Sequence, residues 1–140
     1  MKTTSIKKSK KSYNFSVGRR KSSSARIRLF KGTGESLING QKVLDVYSNK
    51  INQIKLNKPF EVTDTLNKLY FTAKVSGGGK EGQLDAIVHG IARALIKLDS
   101  DKYRTPLKTS NLLTRDSRVR LRRMVGMGGK SRRKKQSPKR

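Results

Sequence analysis

Residues 77–98, GGGKEGQLDAIVHGIARALIKL, are the one stretch with the periodicity of a conventional packed helix. Leu84, Ile87, Val88, Ile91, Leu95 and Leu98 recur at the three-and-four spacing of one helical face. Asp85, His89, Arg93 and Lys97 follow one another four apart on the opposite face. Three glycines lead in, and Glu81 and Asp85 sit near the helix start, where the macrodipole favours negative charge. The spacing predicts a buried helix of about four turns. Every other part of the chain must either pack against that helix or be too basic to pack against anything.

The second class is large. The net charge is +26 over 140 residues, enough for one domain with a modest core. Residues 1–12 hold five Lys and no acid, residues 13–31 add six Lys or Arg and no acid, and residues 115–140 hold twelve basic residues against Asp116. The middle, 32–114, nets only +4, so the flanks carry +22. A nearly neutral body with basic arms gains nothing from self-repulsion and implies a polyanionic partner. With no cysteine and one histidine, a disulfide framework is excluded and a zinc site is disfavoured; the missing cysteine fits a reducing compartment. No apolar run approaches a membrane span, and the N-terminus lacks the apolar core of a signal peptide, although it is basic and serine-bearing like some organelle transit peptides.

Taken in order, residues 1–12 cannot offset their ordering entropy and read as a disordered arm. Residues 13–20 alternate as a strand (Tyr13, Phe15, Val17), residues 21–24 form a polar turn, and residues 25–30 alternate again, Ile27 and Leu29 against Arg26 and Arg28. The pair predicts a hairpin with an Arg-lined exposed face. Gly32 and Gly34 turn the chain into a short strand over 36–38, and Asn39-Gly40 is a further turn signal. Leu44, Val46, Tyr47, Ile51 and Ile54 are compatible with one or two short helices, which Pro59 should end. Residues 69–75 are β-branched and aromatic, as a central strand requires. Residues 102–113 read as a short helix weakened by Pro106, and the tail from Ser117 reads as extended, with a reach of roughly 80 Å. The fold class expected is α+β: a small, mostly antiparallel or mixed sheet with helices on one face, plus a long basic C-terminal tail.

Three regions are candidates for chemistry. The run Gly77, Gly78, Gly79 before a helix could hold a phosphate, but no Gly-Lys-Ser/Thr closes a Walker loop; a sharp turn or backbone contact to RNA is the alternative. Asp85 and His89, one turn apart, could be an acid–base pair or a helix-surface ion pair, with no activated nucleophile nearby. The hairpin carries Arg19, Arg20, Lys21, Ser22, Ser24 and Arg26, whose guanidinium forks and hydroxyls suit phosphate oxygens. The tail adds Arg115, Arg118, Arg122, Arg123, Lys130, Arg132, Arg133, Lys134 and Lys135, then Lys139 and Arg140.

Several of these motifs together resemble the small-subunit ribosomal protein S nine family, bacterial type, from about Tyr13 onward. They are Gly18-Arg19-Arg20-Lys21 with Ser24-Ala25-Arg26, Gly77-Gly78-Gly79 with Gly82-Gln83, Ala86-Ile87 with His89-Gly90-Ile91-Ala92-Arg93-Ala94-Leu95, Thr114-Arg115-Asp116, and terminal Lys139-Arg140. The family usually carries an aromatic in its terminal motif, which Gln136-Ser137-Pro138-Lys139-Arg140 lacks, and Met127-Gly128-Gly129-Lys130 is richer in glycine than the family's basic run. The resemblance implies a domain like the second domain of ribosomal protein S five, with no enzyme activity and no cofactor. It implies rRNA binding in the small-subunit head through the hairpin, the glycine run and the tail, beside neighbouring head proteins. It also implies a peptidyl-site tRNA contact through Lys139 and Arg140. Neither a membrane nor a small-molecule substrate is implied, and the compartment is a cytoplasmic or an organellar ribosome. The organisation expected is 1–12 arm, 13–116 globular RNA-binding domain and 117–140 tail. A small phosphotransferase using the glycine loop and a nonspecific nucleic-acid condenser are the rival readings.

Overall fold

Alternation at the start of the chain produces a hairpin that sets the frame for everything after it. In a computed structural model of the protein, which describes residues 12–123, strand β1 (Tyr13–Arg20) pairs antiparallel with β2 (Ser23–Lys31), Tyr13 opposite Phe30 and Arg20 opposite Ser23. Only Lys21 and Ser22 lie between the strands, so the polar turn is two residues shorter than expected. Strand β5 (Leu69–Ser76) lies antiparallel to the other side of β2 and parallel to the short β3 (Leu37–Ile38), which pairs with β4 (Gln41–Lys42). The order β1-β2-β5-β3-β4 puts β5 in the centre of a mixed five-stranded sheet. Asn39 and Gly40, with φ of 51° and 88°, turn β3 into β4. The Asn39 amide then continues the parallel pairing where β3 stops: Nδ2 donates to the Val75 carbonyl at 3.1 Å, and Oδ1 accepts from the Val75 N–H at 2.9 Å.

Helix α3 (Lys80–Leu98) lies across one face of β1 and β2. With Leu84, Ala86, Ile87, Ile91, Ala92, Ala94 and Leu95 it meets Ala25, Ile27, Leu29, Phe71 and Ala73 in a continuous core. It spans 19 residues, about five turns rather than four. Its approach to β1 is unusually close. Ser16 donates from Oγ to the Gly90 carbonyl at 2.6 Å, and a Cβ on Gly18 would fall 1.9 Å from the Ala86 carbonyl oxygen. Small residues are therefore required beneath the helix. The large residues of β1 turn to the other face of the sheet, where Tyr13 and Phe15 are 46% and 43% exposed.

Pro59 departs from expectation. Helix α1 (Val43–Val46) is a single turn; α2 (Lys50–Val62) begins with the Asn49 side chain accepting from Ile51 N–H at 3.0 Å and runs through Pro59. A proline inside a helix forfeits one backbone bond, at a cost of about 3 kcal/mol. Burial of the Pro59 ring offsets part of it, and Thr63 Oγ1 donates to the Pro59 carbonyl at 2.8 Å, closing the last turn. Leu56, Pro59 and Phe60 form the buried side of α2, with Phe60 stacked 6.2 Å from Phe71, whereas Leu44, Ile51 and Ile54 are exposed. Helix α4 (Ser100–Thr109) likewise contains Pro106, and it starts two residues earlier than expected because Asp99 caps it through the Lys102 N–H. Tyr103 and Leu107, four apart, attach it to the core. All helices that bury apolar residues do so on one face of the sheet.

Candidate nucleic-acid interface

The polar stripe of α3 bonds to the chain, although Asp85, Arg93 and Lys97 stay exposed. Strand β1 is the sheet's outer edge, and an open edge exposes unpaired backbone groups. Lys97 Nζ donates to the Phe15 carbonyl at 2.8 Å, Arg93 Nη1 donates to the Val17 carbonyl, and the Arg19 N–H points at His89 Nδ1 at 3.5 Å. The four-residue spacing of His89, Arg93 and Lys97 thus matches alternate residues of an antiparallel strand edge. His89 Nε2 lies 3.2 Å from the Leu113 carbonyl, so the neutral tautomer with the proton on Nε2 satisfies both contacts. Burial, together with the charges of Arg93 and Arg115, holds the imidazole below its ordinary pKa. Asp85 pairs with Arg20 instead, so the expected Asp85–His89 pair does not form.

Arg20 is the hub of a clasp that fixes where the tail leaves the domain. Its Nη1 donates to the Arg118 carbonyl at 2.7 Å, Nη2 lies 3.1 Å from Asp116 Oδ2, and Nε lies 3.6 Å from Asp85 Oδ2. Only 13% of its side chain is exposed. Asp116 also takes Arg118 bidentately, Nη2 to Oδ2 at 2.7 Å and Nε to Oδ1 at 3.1 Å, and accepts from the Arg118 N–H at 2.9 Å. The Arg118 guanidinium and N–H, then Arg20, hold the Asp116 carboxyl far below the usual carboxylate range.

The glycine run closes on the same end of the sheet. Gly77 and Gly78 have φ of 75° and 65°; a Cβ on Gly77 would meet the Ser22 carbonyl oxygen at 2.5 Å, and one on Gly78 would meet Ser23 Oγ at 2.1 Å. The Gly77 carbonyl accepts from Ser23 Oγ and Gln83 Nε2, both at 3.1 Å. The run is a sharp turn docked on the hairpin. One end of the molecule therefore gathers exposed Arg19, Lys21, Ser22, Gly77–Gly79 and Arg115, with half-buried Ser24 behind them.

Arg20 and Arg118 are at this end too, but spend their guanidinium groups on carboxylates. Arg122 and Arg123 are exposed at the end of the described chain. Arg26 stands apart on the open face of the sheet, opposite Lys74 on β5. That face also carries Arg28, which the sequence reading left out of the site although its alternation with Ile27 and Leu29 signals the same face as Arg26. Residues 1–11, Lys130, Arg132, Arg133, Lys134, Lys135, Lys139 and Arg140 lie outside the described residues. Among the described residues no cluster of His, Asp or Glu could hold a metal ion, and no helix is long and apolar enough to cross a membrane.

The family model described as ribosomal protein S9/S16 matches residues 18–140, which include the hairpin turn, the glycine turn, α3 and the clasp. The chain belongs to this family. It is similar to the small ribosomal subunit protein uS9 of Maridesulfovibrio salexigens, 42% identical over 119 residues, covering 85% of this chain and 91% of the relative. The uS9 of Desulfotalea psychrophila is 40% identical over 115 residues, covering 82% and 88%. That of Renibacterium salmoninarum is 41% identical over 111 residues, covering 79% of this chain and 66% of the relative, just under two thirds of its length. Ribosomal protein S9 is a structural, non-enzymatic family.

Proposed function

We propose that this member of the ribosomal protein S9/S16 family is a structural constituent of the small ribosomal subunit. In this role it binds small-subunit rRNA in the head and reaches peptidyl-site tRNA with its C-terminal residues. The observation that carries the rRNA reading is the convergence of Arg19, Lys21, Ser22, the glycine turn and Arg115 at one end of the sheet, with no acid among residues 13–31. Two relatives matched over nearly their whole length bear the name small ribosomal subunit protein. The clasp supports an assignment of the tail to a separate, directed task, because it fixes the tail's exit beside the hairpin. Phosphate contacts by the hairpin and tail would be independent of sequence and would position the protein rather than read bases. Neighbouring head proteins are the remaining partners.

Salt dependence of binding to a small-subunit rRNA head fragment tests the reading. Each phosphate contact on single strands contributes roughly 0.7 log units of affinity per log unit of salt. Replacing Arg19, Arg20 and Lys21 with Ala should lower the slope by about two contacts rather than three, since Arg20 already serves Asp85 and Asp116. An unchanged slope refutes the hairpin's role. For the tail, deletion of residues 137–140 should leave incorporation into small subunits intact and weaken filter-bound tRNA by about 1–3 kcal/mol. Equal tRNA affinity would leave only the rRNA role.

A further inference from the structure

The face of the sheet away from the helices is unlike the hairpin end: it is ordered in rows, and its rows are aromatic and cationic. Strand register aligns Tyr13, Phe30 and Tyr70 in one row, Phe15, Arg28 and Thr72 in the next, then Val17, Arg26 and Lys74. Successive rows are two residues apart, about 7 Å. In the first row the rings of Phe30 and Tyr70 stack at 5.0 Å, Tyr13 tilts against Phe30 at 5.6 Å, and the Arg28 guanidinium lies 5.2 Å above the Tyr13 ring. Phe15 stands beside this row, 43% exposed as a residue. An open groove of about 660 Å³ runs over Phe15, Arg26, Arg28, Leu37, Thr72 and Lys74. None of the five strands contains an Asp or Glu, and the nearest acid in sequence, Glu35, is held by Lys42 at 2.8 Å.

We propose that this open face is a stacking platform for unpaired nucleotides, one base lying on Phe15 while Arg26, Arg28 and Lys74 take the phosphates beside it. The charge is of one sign, which selects a polyanion. Exposed rings between the cations select bases that have left a helix, since a duplex offers only its backbone to such a surface. The close seat of α3 on Ser16 and Gly18 leaves Tyr13 and Phe15 on the solvent face, outside the core, where their rings are available to a base. The inference rests on the RNA-binding reading above but adds a second contact surface, which begins one row beyond Arg19 and Ser24 on the open face and differs in kind from the hairpin turn.

The test uses the full chain with a ten-nucleotide oligouridylate in which one base is 4-thiouridine, and a duplex RNA of the same length as comparison. Photocrosslinks mapped by mass spectrometry should fall on Phe15 or Tyr13 for the single strand and be absent for the duplex. Phe15→Leu, which keeps an apolar side chain at an exposed site, should weaken single-strand binding roughly 5- to 150-fold, the range of one base–aromatic stack, and leave duplex binding within about twofold. Crosslinks confined to the hairpin turn and tail, or equal single-strand affinity for Phe15→Leu, would overturn the platform while leaving the salt-slope result for the hairpin untouched. Amine-reactive crosslinking from Lys74 in assembled small subunits that captures a protein neighbour on this face would overturn it as well.

Discussion

Replacing Gly18 with Ala adds a single methyl group at the point where strand and helix backbones come closest. That Cβ would lie 1.9 Å from the Ala86 carbonyl oxygen, 2.4 Å from the Gly90 nitrogen and 2.8 Å from the Gly90 Cα. Ordinary contact begins near 3.4 Å, so β1 and α3 must part by about 1.5 Å, and a gap of even 0.5–1 Å forfeits a quarter to a half of each dispersion contact. No flexible side chain can yield, because every clashing atom is helix backbone. The separation would also stretch the Ser16 hydrogen bond to Gly90 and open the packing of Ile27 against α3. Overpacking typically costs about 1–3 kcal/mol, and a backbone-on-backbone clash belongs at the top of that range. The alanine's effect on the unfolded chain returns at most about 1 kcal/mol. A net loss of about 2–3 kcal/mol is a large share of the 5–15 kcal/mol typical of a domain and lowers Tm by about 8–24 °C. Thermal unfolding of the full chain followed by circular dichroism measures it. Gly79→Ala is the companion, since nothing lies within 4 Å of its Cβ, and its cost should stay under about 1 kcal/mol, that of a weaker helix cap. If Gly18→Ala melts within about 2 °C of the natural chain, the close seat of α3 on β1 is wrong.

Other outcomes follow from the titrating and clasping groups. The folded state binds a proton at His89 less readily than the unfolded chain does, so its contribution is complete above about pH 6.5 and declines as pH falls through that value. Urea midpoints measured from pH 7 to pH 5 should fall, and His89→Gln, neutral at both ends, should flatten the decline; equal slopes would remove His89 as its source. Asp116 acts in a separate, more acidic window, because a carboxyl held below its ordinary value loses its contribution only as pH drops beneath about 3.9. Asp116→Asn takes the shared carboxylate from Arg20 and Arg118, so amide exchange at Arg118, whose N–H donates to Oδ1 at 2.9 Å, should accelerate without collapse of the α3 core. Unchanged protection at Arg118 would show that the clasp does not hold the tail's exit.

Period and punctuation are local properties, and what they specify was legible in the chain. The alternation of residues 13–20 and 25–30, the β-branched run at 69–75, the Asn39-Gly40 turn and the three-and-four spacing after Gly79 each give the element observed. Concentration of charge outside 32–114 likewise needed only the sequence and pointed to a polyanion. Which face of an element is covered is not local. Alternation marks Tyr13, Phe15 and Val17 as one side of β1 but leaves open that α3 comes too close for them, a distance set by Gly18 meeting Gly90. Pro59 reads as a helix end because a lost hydrogen bond is visible in sequence, while the burial and the Thr63 bond that offset it arise only on packing. The same limit governs the charges. Arg19, Arg20 and Lys21 are equivalent as a basic run, yet Arg20 is enclosed by Asp85, Asp116 and a carbonyl 98 residues away, and its neighbours are left to solvent. Composition pointed to a polyanionic partner; the tertiary structure decided which cations are left exposed and which are spent on carboxylates, because a side chain's partner is chosen by position in space.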